Sequence, residues 1–134
     1  LEVVKTVIRF KVWIEKDCKP LIGRGGYEIL KAIDQYGSIA KASEVLGMSY
    51  KFIWNYIKKL EENLGESVVE MKRGGRGRGG TWLTPAGRNL LETYEMAESV
   101  VRDALLEIGD LVIACNEPAV KINEVVKSLL AGCI

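Results

Sequence analysis

Histidine does not occur in this 134-residue chain. Imidazole is the usual general base and metal ligand near neutral pH, so its absence removes the common catalytic triads and zinc sites. Cysteine occurs three times, at Cys18, Cys115 and Cys133. An odd number at wide spacing makes neither a disulfide framework nor a thiolate cluster and reads as isolated reduced thiols. With no paired nucleophile and base and no metal cluster to assemble, the expectation is a protein that is not an enzyme and holds no cofactor or metal. Long apolar runs are missing too: none approaches the roughly 18 residues of a membrane span. The N-terminal LEVVKTVIRFKVWIEK alternates apolar and charged residues instead of building a signal-peptide core. These absences point to a cytoplasmic protein without a membrane partner. Net charge is nearly absent as well, at +1, which argues against a general nucleic-acid coating protein.

The composition that is present, 48% hydrophobic and 28% charged, is that of a folded domain. The length suits one core with one appended element. The small net charge hides an asymmetry. Between Met71 and Arg88 stand Lys72, Arg73, Arg76, Arg78 and Arg88 with no acid, whereas from Glu95 onward three basic residues face seven acidic ones.

Periodicity divides the chain. Val3 to Ile14 is β-branched and alternating, KDCKP turns, and LIG returns, which predicts an N-terminal β-hairpin over residues 3–23. After GRGG, read as a break, Ile29, Leu30 and Ile33 predict a helix over Tyr27 to Tyr36, stopped by Gly37. Ser38 suits the cap of a short second helix carrying Ile39, Ala42, Val45 and Leu46, and Gly47 ends it. Ser49 suits the cap of a third, in which Ile53, Ile57, Leu60 and Leu64 share a face until Gly65. SVVEM and TWLT have strand character and flank RGGRGRGG, so that stretch becomes the tip of a hairpin. Thr84 before Pro85 is a strong helix start. From there Leu90, Tyr94, Ala97, Val101, Ala104, Ile108 and Leu111 alternate in steps of four and three, predicting a long helix over 85–115. That seam needs another helix, and the expectation is that it joins two copies of the chain as a dimer, with packing back on its own domain as the alternative. Residues 116–134 suit a short amphipathic segment.

The second and third helices with their Gly47 turn form a helix-turn-helix over 38–64, and the following hairpin over 67–84 makes it a winged one. The expected architecture is mainly α with small β, residues 1–84 forming the domain and 85–115 the appended helix. In such a unit the third helix leads with its N-terminal turn into a DNA major groove. Ser49, Tyr50, Lys51, Asn55, Lys58 and Lys59 occupy its expected exposed side. Asn55 and Lys51 have the donors and acceptors that match base edges, and Lys58 and Lys59 suit phosphates. Phe52, Trp54 and Tyr56 are expected to pack in the core or at its rim. In the wing, glycine permits close backbone approach while Arg73, Arg76 and Arg78 supply cations for phosphates or a narrow minor groove. A phosphate-binding P-loop would need a helix directly after the glycines and a Lys-Ser/Thr pair, and TWLT stands there instead.

From about Phe10 to Glu98 the sequence resembles the N-terminal DNA-binding domain of the ModE family of molybdate-responsive transcription regulators, and more distantly the winged-helix domain of LysR-type regulators. GSIAKAS, GMSYKFIWNYIKKLE, the glycine-arginine tip and LTPAGRNLL carry the match in the family's order. The resemblance implies a homodimer, joined through the flanking helix, that binds a palindromic operator in double-stranded DNA. It places Ser49, Tyr50 and Lys51 at the start of the recognition helix and Arg73, Arg76 and Arg78 in the wing. ModE proteins continue into molybdate-binding domains, and nothing patterned like one follows Leu111, which leaves three readings open: the chain acts alone, responds to another signal, or pairs with a separately encoded sensor. The alternative is a protein-interaction module that uses the winged fold and heptad helix without DNA.

Overall fold

A computed structural model describes residues 3–74, 79–108 and 111–114. The elements in chain order are β1 (Val3–Thr6), β2 (Ile14–Lys16), β3 (Lys19–Ile22), α1 (Arg24–Tyr36), α2 (Ile39–Leu46), α3 (Tyr50–Leu64), β4 (Val69–Lys72), β5 (Gly80–Leu83), α4 (Pro85–Leu106) and β6 (Leu111–Ala114). They divide into two compact units, one spanning Val12–Glu95 and the other combining Leu1–Lys11 with Met96–Ile134. The segment 116–134 lies outside the described residues, as do Cys115 and Cys133.

The Val12–Glu95 unit is a winged helix. Its core takes Ile29, Leu30 and Ile33 from α1, Ile39 and Ala42 from α2, Ile53, Ile57 and Leu60 from α3, and Val68, Val69 and Leu83 from around the β4–β5 hairpin. Each fully buried Leu or Ile contributes about 1.5–3 kcal/mol relative to leaving it in water. The helix ends follow the residue types that the sequence offered. Gly37, Gly47 and Gly65 sit at φ 67°, 66° and 87° and end α1, α2 and α3. The Ser38 hydroxyl accepts from the Lys41 amide, and that of Ser49 from the Phe52 amide.

GRGG is not a break. Helix α1 begins at Arg24 and runs through both glycines, three residues earlier than their helix-breaking reputation suggests. Gly26 is small because a Cβ there would collide with the Tyr56 hydroxyl and the Ile22 side chain. Close packing of α3 on α1 sets the residue type, not turn geometry. Burial at this contact pushes the Tyr56 phenol above its ordinary pKa.

The N-terminal hairpin is shorter than the expected span of 3–23. Residues 7–13 form no strand, and the hairpin consists of β2 and β3 alone, closed by Asp17 and Cys18 at φ 53° and 59°. Two successive left-handed residues are the signature of a type I′ turn, whose twist suits adjacent antiparallel strands. β1 pairs instead with β6, in the register Val3↔Ala114 to Thr6↔Leu111. A strand's alternation says nothing about which partner it takes, so the sequence joined β1 to its nearest neighbour.

Helix α4 starts as expected. The Thr84 hydroxyl accepts from the Gly87 amide at 3.1 Å and donates to the Ser67 carbonyl at 2.6 Å. The far end differs: the helix stops at Leu106, not 115, and Leu111 belongs to β6. The β-branched run in LVIA outweighs the continuing four-three spacing. The seam also turns inward. Leu90 belongs to the core cluster, and Tyr94, only 1% exposed, stacks on Tyr27 with ring centroids 4.8 Å apart. Ala104 is buried, and Ala97, Val101 and Ile108 are half-buried. Of the two ways to satisfy the heptad seam, packing on its own chain takes its first two members. The large apolar side chains that α4 leaves exposed are Met96, Val100 and Leu106.

The two adjacent glycines of α1 give a paired test. Gly25 has nothing within 4 Å of an added Cβ, so Gly25→Ala should stabilise by about 0.5–1 kcal/mol through helix propensity. Gly26→Ala should cost about 1–3 kcal/mol through overpacking against Tyr56. Urea denaturation midpoints shifting in opposite directions would bear out both assignments.

Candidate nucleic-acid interface

Helix α3 buries Ile53, Ile57 and Leu60, and this orients the rest of it. At 3.6 residues per turn the opposite face carries Lys51, Asn55, Lys58, Lys59 and Glu62, all exposed. Among the described residues no hydrogen bond or ion pair engages Lys51, Asn55 or Lys59. Lys58 is already occupied: its ammonium lies 4.4 Å from the Trp54 ring centroid and 3.3 Å from Glu61 Oε1. The free cations on this helix are therefore Lys51 near its start and Lys59 two turns on. Ser49 spends its hydroxyl on the Phe52 amide, so its role is to begin the helix. Tyr50 is exposed beside it.

The aromatic expectation holds for two residues and fails for the third. Trp54 and Tyr56 pack against the core, but Phe52 is 53% exposed. Phe52 and Trp54 flank the buried stripe of α3 on opposite sides, each about 100° from Ile53; packing covers the flank of Trp54 and leaves that of Phe52 exposed.

The wing is the antiparallel β4–β5 hairpin, paired Val69↔Leu83, Glu70↔Trp82, Met71↔Thr81 and Lys72↔Gly80. Val69, Thr81 and Leu83 are buried, whereas Glu70 and Trp82 are exposed and joined by a 2.9 Å bond from the indole Nε1 to Glu70 Oε2. Three contacts fix the root. Glu61 Oε2, on a side chain 13% exposed, accepts the Val68 amide at 2.8 Å, the Thr84 amide donates to the Val68 carbonyl at 3.0 Å, and the Thr81 amide donates to the Gly37 carbonyl at 2.9 Å. Gly87 lets α4 come close, since a Cβ there would run into the Val68 carbonyl. A groove of about 940 Å³ opens where the wing meets the helices, lined by Ser38, Trp54, Met71, Lys72, Arg73 and Thr81 among others. Lys72 and Arg73 are exposed at its edge. Arg76 and Arg78 lie outside the described residues.

Arg88, part of the acid-free basic stretch, is not free. Its two terminal nitrogens engage both carboxylate oxygens of Asp34 on α1, one pair at 3.0 Å, and this partnership raises the guanidinium pKa further. Its charge serves the packing of α4 on α1. Neither this pair nor Glu61 announces itself in the sequence, because the partners are 54 and 7 residues apart with no motif linking them. Among the described residues no group of three acidic, cysteine or histidine side chains could hold a metal ion, and no helix is long and apolar enough to cross a membrane.

Residues 26–88 match the family model described as bacterial regulatory helix-turn-helix protein, lysR family. The chain is 33% identical over 82 residues to the transcriptional regulator ModE of Yersinia pestis, covering 61% of this chain and 31% of that one. It is 38% identical over 77 residues to the molybdenum-pterin-binding protein MopB of Rhodobacter capsulatus, covering 58% and 28%. Among solved structures, ArgP from Mycobacterium tuberculosis is similar over 61% of this chain and 29% of its own, at 26% identity and a TM-score of 0.47. The chain thus spans about three-tenths of the length of these curated relatives.

The Glu61 anchor predicts a measurable loss. Glu61→Ala leaves the buried Val68 amide without its acceptor and should destabilise the protein by about 1–3 kcal/mol. Hydrogen exchange at Val68 should accelerate at the same time, and Glu61→Gln, which keeps an acceptor oxygen, should recover part of both.

Proposed function

We propose that the LysR-type helix-turn-helix domain carried by residues 26–88 binds duplex DNA as the reading unit of a transcription regulator. The observation that carries this reading is the exposed face of α3, where Lys51, Asn55 and Lys59 have no partner among the described residues, in a unit whose wing root is fixed to the same helix by Glu61. The N-terminus of α3 leads into the major groove, where Asn55 offers a bidentate match to adenine and Lys51 to guanine. Lys59 meets a phosphate. Lys58, held over Trp54 and beside Glu61, would have to leave both to do the same. Arg73, Arg76 and Arg78 bring the wing's charge to the backbone or the minor groove. The role is non-catalytic, needs no cofactor, and is exercised in the cytoplasm where the DNA lies.

The unit acts as a homodimer, but not through the inward-facing Leu90 and Tyr94. The exposed flank of α4 one position earlier in each turn, Thr93, Met96 and Val100, repeats the same four-three spacing and supplies the seam. Met96 is 68% exposed, which suits a residue awaiting a partner helix. Two such units would read half-sites about 34 Å apart or a multiple of it.

Genomic fragments selected for binding allow the interface to be tested by salt titration. Arg76→Ala with Arg78→Ala should weaken binding to every fragment and flatten the slope of log K against log salt by about 0.9 per lost phosphate contact. Asn55→Ala should instead level the affinities of selected and random fragments. An unchanged slope in the arginine double variant would discard the wing assignment. In sedimentation, Met96→Asp with Val100→Asp should yield monomers at concentrations where the unaltered protein is a dimer.

A further inference from the structure

Phe52 is the anomaly of the α3 surface. More than half of it is exposed, on the first turn of the helix, between Lys51 and the Asn55 that follows one turn on. Neither of the described cation-aromatic contacts nor the ring stack involves it; those are Arg24 on Tyr27, Lys58 on Trp54, and Tyr27 on Tyr94. Its backbone is held, since the Phe52 amide donates to the Ser49 cap at 3.0 Å, so the ring projects from a fixed point. Leaving an aromatic ring in water forgoes the gain of burying it. The side chain makes no contribution to the core that would offset this.

We infer that Phe52 is a specificity residue that packs on the 5-methyl group of thymine in the major groove. This rests on the DNA-binding reading and extends it. Of the four bases only thymine presents an apolar group in that groove, and phenylalanine is among the side chains that meet it. Asn55 lies three residues further along α3, about 4.5 Å in rise, close to one base step. The pair therefore selects a thymine within one or two base pairs of the adenine that Asn55 recognises. The half-site read by α3 is A·T-containing at its centre, and its discrimination against G·C there has an apolar component that salt does not screen. Lys51 and Lys59 flank this contact and supply the charge that holds the helix in the groove.

Uracil separates the methyl group from everything else, because it keeps thymine's pairing and hydrogen-bonding atoms. Fragments selected from genomic DNA by the full chain are copied once with thymidine and once with deoxyuridine triphosphate, and affinities are compared for the unaltered protein, Phe52→Ala and Phe52→Leu. The unaltered protein should bind the uracil copies about fourfold more weakly per half-site, the factor that burying one methyl-sized group carries. Phe52→Ala should bind both copies alike, and Phe52→Leu should keep part of the preference. Salt slopes should be the same in all cases. Equal affinity of the unaltered protein for thymine and uracil copies overturns the inference while leaving DNA binding in place, as does a preference that survives intact in Phe52→Ala. Failure to bind either copy overturns the DNA-binding reading itself, and the Phe52 assignment with it.

Discussion

The carboxylate of Glu61 joins the two parts of the winged helix that have to act together. It stands near the end of α3 and accepts the amide of Val68, where the chain has left the helix and is about to enter β4. The bond is charge-assisted and largely shielded from water, the circumstances in which such a bond is worth most. Its other oxygen takes Lys58, which also covers Trp54. One side chain thereby sets where the wing leaves the helix and orders the lower half of the exposed α3 face. The Val68 carbonyl continues the arrangement by accepting the Thr84 amide, and Thr84 in turn caps α4. Helix, wing and flanking helix meet at three consecutive backbone groups around Ser67 and Val68.

Charge in this protein divides by task more cleanly than its near-zero total suggests. Arg88 and Asp34 form a two-pronged pair that fastens α4 to α1, and Lys31 approaches Glu95 at 3.5 Å between the same two helices. Lys16 donates to the Leu64 carbonyl at the end of α3, where a cation also meets the negative end of the helix dipole. These basic residues already have partners within the fold. Among the described residues, Lys51 and Lys59 on α3 and Lys72 and Arg73 at the wing's edge are exposed cations with no hydrogen bond or ion pair, and they lie on the two elements that form the candidate interface. Surface pairs of the first kind contribute little each to stability, but they remove cations from the count that any electrostatic footprint would use.

Much of this could be read in the chain. Ser38, Ser49 and Thr84 cap the helices they precede, and Gly37, Gly47 and Gly65 end them, because capping is local chemistry confined to a few neighbouring residues. The buried faces of α1 and α3 follow the 3.6-residue period for the same reason. The misreadings share a different cause. Gly25 and Gly26 looked like a break, and Gly26 turned out to make room for Tyr56, which lies 30 positions away in sequence. β1 was joined to the following strand and pairs with β6. Phe52 was expected in the core or at its rim and lies on the flank of α3 that tertiary packing leaves exposed.

The sequence by itself determined that the four helices exist, both ends of α2 and α3, the end of α1 and the start of α4, and that a glycine-arginine tip stands between two strands. Caps, turn residues and apolar spacing act over a handful of neighbours, and the chain states them directly. The tertiary structure decided which cations are free, which face of α4 is spent on its own core, and how the wing is tied to α3. Those outcomes depend on contacts between residues far apart in the chain: Asp34 with Arg88, Tyr27 with Tyr94, Val3 with Ala114. Periodicity can say that a face is apolar, but only packing decides what fills it. The heptad of α4 was therefore real as a pattern, and its first two members were already occupied within the same chain.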